Sequence, residues 1–219
     1  MKIRHEKTVI RRPPELMEEE QMPEEKRDVM SIPEAVSCFR KKSGLTAGEE
    51  SFLNFIEILG KFEVNGYIID EQFLNARFTG ENACCTMHFL LDDERKFLVM
   101  YLYTGIFCDK KRLGEMSRLF TEINNTHMIG NFEFHEDSGE IRYKIITRMD
   151  KTPLSGDYLL MNLKVGMNMV NDFYPTIAPL ALDIDPPLDK ACDEYLKMKG
   201  LKRPAQMVPV PDGKDGLMN

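Results

Sequence analysis

The runs Leu74-Asn75-Ala76-Arg77-Phe78-Thr79, Cys84-Cys85-Thr86-Met87-His88-Phe89-Leu90-Leu91 and Phe97-Leu98-Val99-Met100-Tyr101-Leu102-Tyr103 decide the fold. In the first, apolar and polar residues alternate strictly, the period of a strand with one buried face. In the second, Cys85, Met87, Phe89 and Leu91 alternate with Cys84, Thr86, His88 and Leu90. The third is apolar on both faces. The connections are short: Gly80-Glu81-Asn82 is a turn, and Asp92-Asp93-Glu94-Arg95-Lys96 is a charged one. Strands joined so closely run antiparallel, because a parallel neighbour needs a long crossover.

Helices flank these strands. Upstream, Thr46-Ala47-Gly48-Glu49 fits a capping box, in which the Thr hydroxyl and Glu carboxylate satisfy free N–H groups at a helix start. Phe52, Phe55, Ile56, Leu59 and Phe62 follow at helical spacing, and Gly66 is expected to end that helix. Downstream, a second helix is expected from Asp109, a suitable N-cap, to about Met128, with Leu113, Met116, Phe120, Ile123 and His127 on its core stripe. Gly130 stops it. A hairpin comes next, with Phe132, Phe134, Ile141, Tyr143 and Ile145 facing inward around the turn Glu136-Asp137-Ser138-Gly139. A long helix over about 156–182 closes the core through Leu160, Leu163, Met167, Val170, Tyr174 and Ile177. Pro175 and Pro179 are expected to kink or shorten it. The class is therefore α+β: an antiparallel sheet of about five strands packed against helices, in the order α-β-β-β-α-β-β-α.

The ends read differently. Residues 1–45 alternate basic and acidic blocks, hold four of the twelve prolines and almost no aromatic residues. Such a stretch buries too little apolar surface to offset its ordering entropy, so a mobile tail is expected, with at most a short helix over Glu34 to Lys42. The folded domain then spans 46–182. Residues 183–219 contribute an amphipathic segment, Leu188 to Lys199, and a Pro- and Gly-rich tail.

The 219 residues suffice for one domain with a substantial core. Lys and Arg total 29 against 36 Asp and Glu, a formal charge of −7, so nucleic acid is not an expected partner. No apolar run approaches the roughly 20 residues of a membrane span. Met1-Lys2-Ile3-Arg4-His5-Glu6 lacks the apolar stretch of a signal peptide, and a cytoplasmic location is expected. Cys38, Cys84, Cys85, Cys108 and Cys192 form no C-x-x-C pair, so neither disulfides nor a zinc site are expected, only small buried hydrophobes.

One stretch is more specific. It comprises Ile123-Asn124-Asn125, Gly130-Asn131-Phe132-Glu133-Phe134 and Asp137-Ser138-Gly139-Glu140-Ile141-Arg142-Tyr143-Lys144, with Asp172-Phe173-Tyr174-Pro175 further on. These motifs and the element order resemble the YbjN-like family of bacterial sensory transduction regulators over about 51–182. The resemblance implies a type III secretion chaperone-like fold and a non-enzymatic adaptor or chaperone-like protein, dimeric, with no catalytic residues to carry over.

Candidate sites are few. His5 lies in the tail and His127 on a core stripe. His88 and His135 fall on polar strand faces beside Arg77, Thr86, Glu133, Arg142 and Lys144. A ligand-sensing or enzymatic site would use Arg77, His88, Arg142 and Lys144; a solvated sheet face is the simpler reading of them. There is no His-x-x-x-His, EF-hand or Gly-rich phosphate loop, so no catalytic residue, metal or cofactor is expected. The apolar surfaces say more. Leu98, Met100 and Leu102 share a strand with Phe97, Val99 and Tyr101, and Met161, Val165 and Met169 form a second stripe on the last helix. One face of each element enters the core, and the other needs a cover: the chain's own tails, or a protein partner or second copy engaging those six residues.

Overall fold

Each strand-forming run found above pairs with its neighbour in the computed structural model, which describes residues 29–134, 138–184 and 197. The elements are β1 (Val29–Ser31), α1 (Ile32–Lys41), α2 (Ala47–Lys61), β2 (Gly66–Ile69), β3 (Phe73–Thr79), β4 (Cys84–Asp92) and β5 (Phe97–Phe107). A short 3-10 turn, Lys110–Arg112, leads to α3 (Leu113–Asn124), β6 (Asn131–Phe134), β7 (Glu140–Arg148) and α4 (Gly156–Ala181). The fold is α+β, and its seven-stranded antiparallel sheet has the order β1-β2-β3-β4-β5-β7-β6. The strand count differs from the expected five or so, and the two short strands at one edge, β1 and β2, pair with each other.

The start of the folded unit also moves. A boundary at Thr46 is corrected by β1 and α1, which bury Met30, Ile32, Ala35 and Phe39 in the main core. Ser31 caps α1 through a capping box with Glu34, and Pro33 sits in its first turn, where a missing N–H costs nothing. Phe39 stacks near Phe52, which in turn lies 5.6 Å from Phe89, with Phe55 4.5 Å from the same ring. Aromatic packing thus ties the first helix through the second to the centre of the sheet.

The capping box at Thr46 and Glu49 forms as expected, with Glu49 N–H donating to Thr46 Oγ1 at 3.1 Å and Thr46 N–H to Glu49 Oε2 at 2.9 Å. The helix ends earlier than expected, at Lys61. Glu63 takes φ +53°, Phe62 is exposed, and Gly66 opens β2 instead of closing the helix. Asp109 does cap a helical start, accepting from Lys111 N–H at 2.8 Å, but the first turn is 3-10 and α3 stops at Asn124.

The last helix is turned relative to the expected stripe. Leu159, Leu163, Gly166, Val170, Phe173 and Ile177 face the core, while Leu160, Met167 and Tyr174 are half-buried at its border. Gly166 sets this rotation: a Cβ there would lie 2.5 Å from Leu102 Cδ1, so the helix approaches the central strands at a position without a side chain. Pro175 and Pro179 do not shorten it. The carbonyl of Asn171, which a residue with an N–H at 175 would engage, accepts from Asn82 Nδ2 at 3.2 Å instead, and Asn82 N–H donates to Asn171 Oδ1 at 2.8 Å.

The helices α1 to α4 cover one face of the sheet. Ile68, Leu74, Phe89, Met100 and Ile145, one residue from each of five strands in register, meet them.

Candidate functional site

With the helices on one side, the alternate residues of every strand form a second face, and the register arranges them in rows. One row is apolar across six strands: Val29, Ile69, Phe73, Leu90, Val99 and Ile146. The next row runs Tyr67, Asn75, His88, Tyr101 and Lys144. Beyond it lies Arg77, Thr86, Tyr103, Arg142 and Glu133.

Ile69, Phe73, Leu90, Val99 and Tyr101 form an apolar cluster separate from the main core, with Phe97 and Tyr103 against it. Among the described residues it consists of strand residues, and the buried apolar helical side chains belong to the other cluster. Leu90 is 3% exposed, Ile69, Phe73 and Tyr101 6% and Val99 9%, whereas Val29 and Ile146 at the ends of the row keep 56% and 52%. The row is thus buried at its centre and exposed at both ends.

Arg142 anchors the rim of this cluster. Its guanidinium lies 4.3 Å over the Tyr101 ring, pairs with Glu133 at 2.7 Å, and donates to Tyr103 Oη at 3.2 Å. Lys144 reaches the other Glu133 oxygen at 3.1 Å. Burial pushes the Tyr101 phenol up to about 12, against the opposing pull of the Arg142 charge. Burial also works against the Arg142 charge, but Tyr103, Glu133 and Tyr101 outweigh it and raise that group above its ordinary value. The network holds the aromatic platform in one arrangement.

The ligand-sensing quartet is divided. Arg142 and Lys144 meet at Glu133. Arg77 is exposed and three strand spacings from Arg142, about 14 Å. His88 lies between Phe73 and Tyr103, with ring centroids 5.0 and 4.6 Å away, and two strand spacings, about 10 Å, from Lys144. All four share the face, as their spacing predicted, yet they do not converge on one point.

The partner-binding residues need a larger correction. Leu98, Met100 and Leu102 lie in the main core beneath the helices, because the inward face of β5 is theirs and the second face belongs to Phe97, Val99 and Tyr101. Met169 is buried with them, since the rotation imposed by Gly166 turns it inward. Met161 is exposed and Val165 half-buried. Ile69, Phe73 and Leu90 were missed; only strand register aligns them with Val99.

His127 is half-buried, its ring edge-on to Phe173 at 5.7 Å and Nδ1 2.9 Å from the Ile123 carbonyl, which fits a packing role. Cys85 and Cys108 are buried as expected, but Cys84 is exposed on the opposite side of its strand. Among the described residues no group of three or more His, Cys, Asp and Glu is placed to hold a metal ion, and no helix is long and apolar enough to cross a membrane. His5, His135, Cys192, the turn residues Glu136 and Asp137, and all but Lys197 of the segment Leu188 to Lys199 lie outside the described residues. No protein-family model, curated protein or solved structure matches the chain.

Proposed function

We propose that this chain is a non-catalytic binding module, adaptor- or chaperone-like, whose docking surface for an apolar protein segment is the second face of the sheet. The observation that carries the reading is the apolar row from Val29 to Ile146, on a face to which no described helix contributes a buried side chain. An antiparallel sheet with one side on the core ordinarily presents polar residues on the other. Here that side carries apolar residues beside two tyrosines braced by Arg142, and Tyr and Arg are enriched at the centres of protein interfaces. The resemblance to the YbjN-like family, which rests on the hairpin and helix motifs quoted above, points the same way. The acidic charge and the free cysteines, Cys84 exposed among them, favour the cytoplasm as its location.

The test uses the exposed ends of the row, where substitution spares the fold. Wild type, Val29→Asp and Ile146→Asp are used as baits in extract from cells that naturally express the protein, with unfolding midpoints measured alongside. A partner retained by wild type and lost by both variants at unchanged stability is the expected result. Light scattering that shows a dimer dissociated by Ile146→Asp would make the partner a second copy. Equal retention by all three baits overturns the reading.

A further inference from the structure

β7 is longer than the strand that borders it. β6 pairs with Ile141 to Lys144 only, whereas β7 runs on to Arg148, so beyond Lys144 its outer side has no strand beside it among the described residues. The gap begins where Gly130 turns the chain into β6: a Cβ there would lie 2.8 Å from the Lys144 carbonyl oxygen. Phe132 N–H donates to Asn124 Oδ1 at 2.8 Å and its carbonyl accepts from Asn124 Nδ2 at 3.0 Å, so Phe132 turns its backbone away from β7. Alternation then aims Arg142 and Lys144 at β6 and Tyr143, Ile145 and Thr147 at β5. The N–H and C=O groups of Ile146 and Arg148 point into the gap, and no described group meets them there.

An exposed strand edge is a template for another strand, and folds ordinarily blunt it. Asn124 does so for β6, and β1 at the opposite edge is only three residues long. The edge from Ile146 to Arg148 has neither guard. We propose that it is a strand-addition site, at which a partner protein contributes a short extended segment that pairs antiparallel with β7.

The walls of the gap set the sequence it takes. On the helix side, α4 turns one flank to α2 and the β3–β4 turn, with Gly156 against the Asn54 carbonyl and Asn171 against Asn82. Helical spacing puts Tyr158, Met161 and Val165 on the other flank, which overhangs β7, and Asn162 just inside it reaches Thr147 Oγ1 at 3.3 Å. Tyr158 and Met161 are exposed and Val165 is half-buried. A partner residue opposite Thr147 meets that flank and is apolar. The one opposite Ile146 lies beside an exposed aliphatic side chain and is apolar too. The one opposite Arg148 meets an exposed guanidinium that has no ion pair among the described residues, and is acidic. Asp150, two residues further on, confines that preference to a single position. In antiparallel order the segment reads acidic, apolar, apolar. The site stands on the edge of β7 and not on the docking role of the second face, although the two meet at Ile146.

The probe is a fluorescein-labelled peptide, Ser-Glu-Leu-Val-Ser, added to the full-length protein and followed by anisotropy and amide NMR spectra. In the unbound protein the amides of Ile146 and Arg148 should exchange quickly with solvent while those of Ile145 and Thr147 are protected. The peptide should bind saturably and slow the first pair. Methylating the backbone nitrogen of its glutamate or valine, which face β7, should weaken binding about tenfold. Methylation at leucine, whose N–H points away, should not. Arg148→Glu should weaken the parent probe and favour a copy with lysine in place of glutamate, and Met161→Asp should weaken both. Val29→Asp, at the far end of the apolar row, should leave probe binding unchanged, so partners lost in that variant report on the second face alone. No saturable binding, or equal effects of methylation at leucine and valine, overturns the site. Protection of Ile146 and Arg148 in the unbound protein overturns it as well: protection lost on dilution assigns the edge to a second copy, and protection that persists assigns it to another segment of the chain.

Discussion

At Gly139 the backbone itself excludes any side chain. Its φ is +70°, and a Cβ would lie 2.3 Å from the Cys108 carbonyl oxygen, while Cys108 N–H donates to Gly139 at 2.6 Å. Gly44 has a similar φ of +74° but opens onto free space. Gly44→Ala should therefore cost only the left-handed penalty of about 1–2 kcal/mol, and Gly139→Ala distinctly more, as read from urea midpoints. Equal costs would show that the contact with Cys108 relaxes freely. Arg142 gives a second contrast. Arg142→Ala leaves Glu133 with Lys144 alone and should cost about 3 kcal/mol. Arg142→Lys keeps the charge but gives up the planar fork on Tyr101 and Tyr103, so thermal unfolding should still report a loss. Wild-type stability in the lysine variant would assign the whole effect to charge. A glycine between a turn residue and a strand is legible in sequence, and so was this one. The burial of Arg142 was not, because an arginine opposite a glutamate looks the same whether the rings beneath it are covered or wet.

Elements were legible where a cap or strict alternation marks them, as at Thr46 and in the strands from Leu74 to Leu91. They were misread where two patterns compete. The last helix carries apolar residues on most of its circumference, so its buried face was chosen by the largest side chains. The structure chooses it by the smallest, because only Gly166 lets the helix close on Leu102 and Ile145. The prolines were likewise read by themselves, whereas the β3–β4 turn supplies the donor that Pro175 lacks. This coupling can be measured. Asn82→Ala should cost about 1 kcal/mol, and the cost should shrink in a Pro175→Ala background, where an amide at 175 can engage the Asn171 carbonyl. A double-mutant cycle in urea measures the interaction, and strict additivity would show that the side-chain bond is inert.

Across the whole molecule, the class and the antiparallel sheet were legible, but the extent was not. Residues 29–41 look like a charged leader in composition, and only four of them, Met30, Ile32, Ala35 and Phe39, reach the core. Composition averages such sparse contacts away. The same limit hid the second apolar face, whose residues are scattered over six strands and meet only through register. A property of the whole fold follows from that double burial, since both faces hold protonated acids away from water. Burial raises Cys85 from 9.0 to about 11, and raises Tyr143 on the core side and Tyr101 on the second face from 10.0 to about 12. Each is neutral when protonated, and the native state keeps the proton longer. Below pH 9 folded and unfolded chains bind these protons equally, and the stabilisation is fully present. Between pH 9 and 12 the unfolded chain releases them first, so stability falls as pH rises. Urea midpoints should therefore decline through that window, and absorbance at 295 nm should show the phenols of Tyr101 and Tyr143 ionising late. Tyr101→Phe should remove one late phenol and flatten the upper part of the decline. An unchanged late titration in Tyr101→Phe would show that the phenol of Tyr101 is not among those held back by burial.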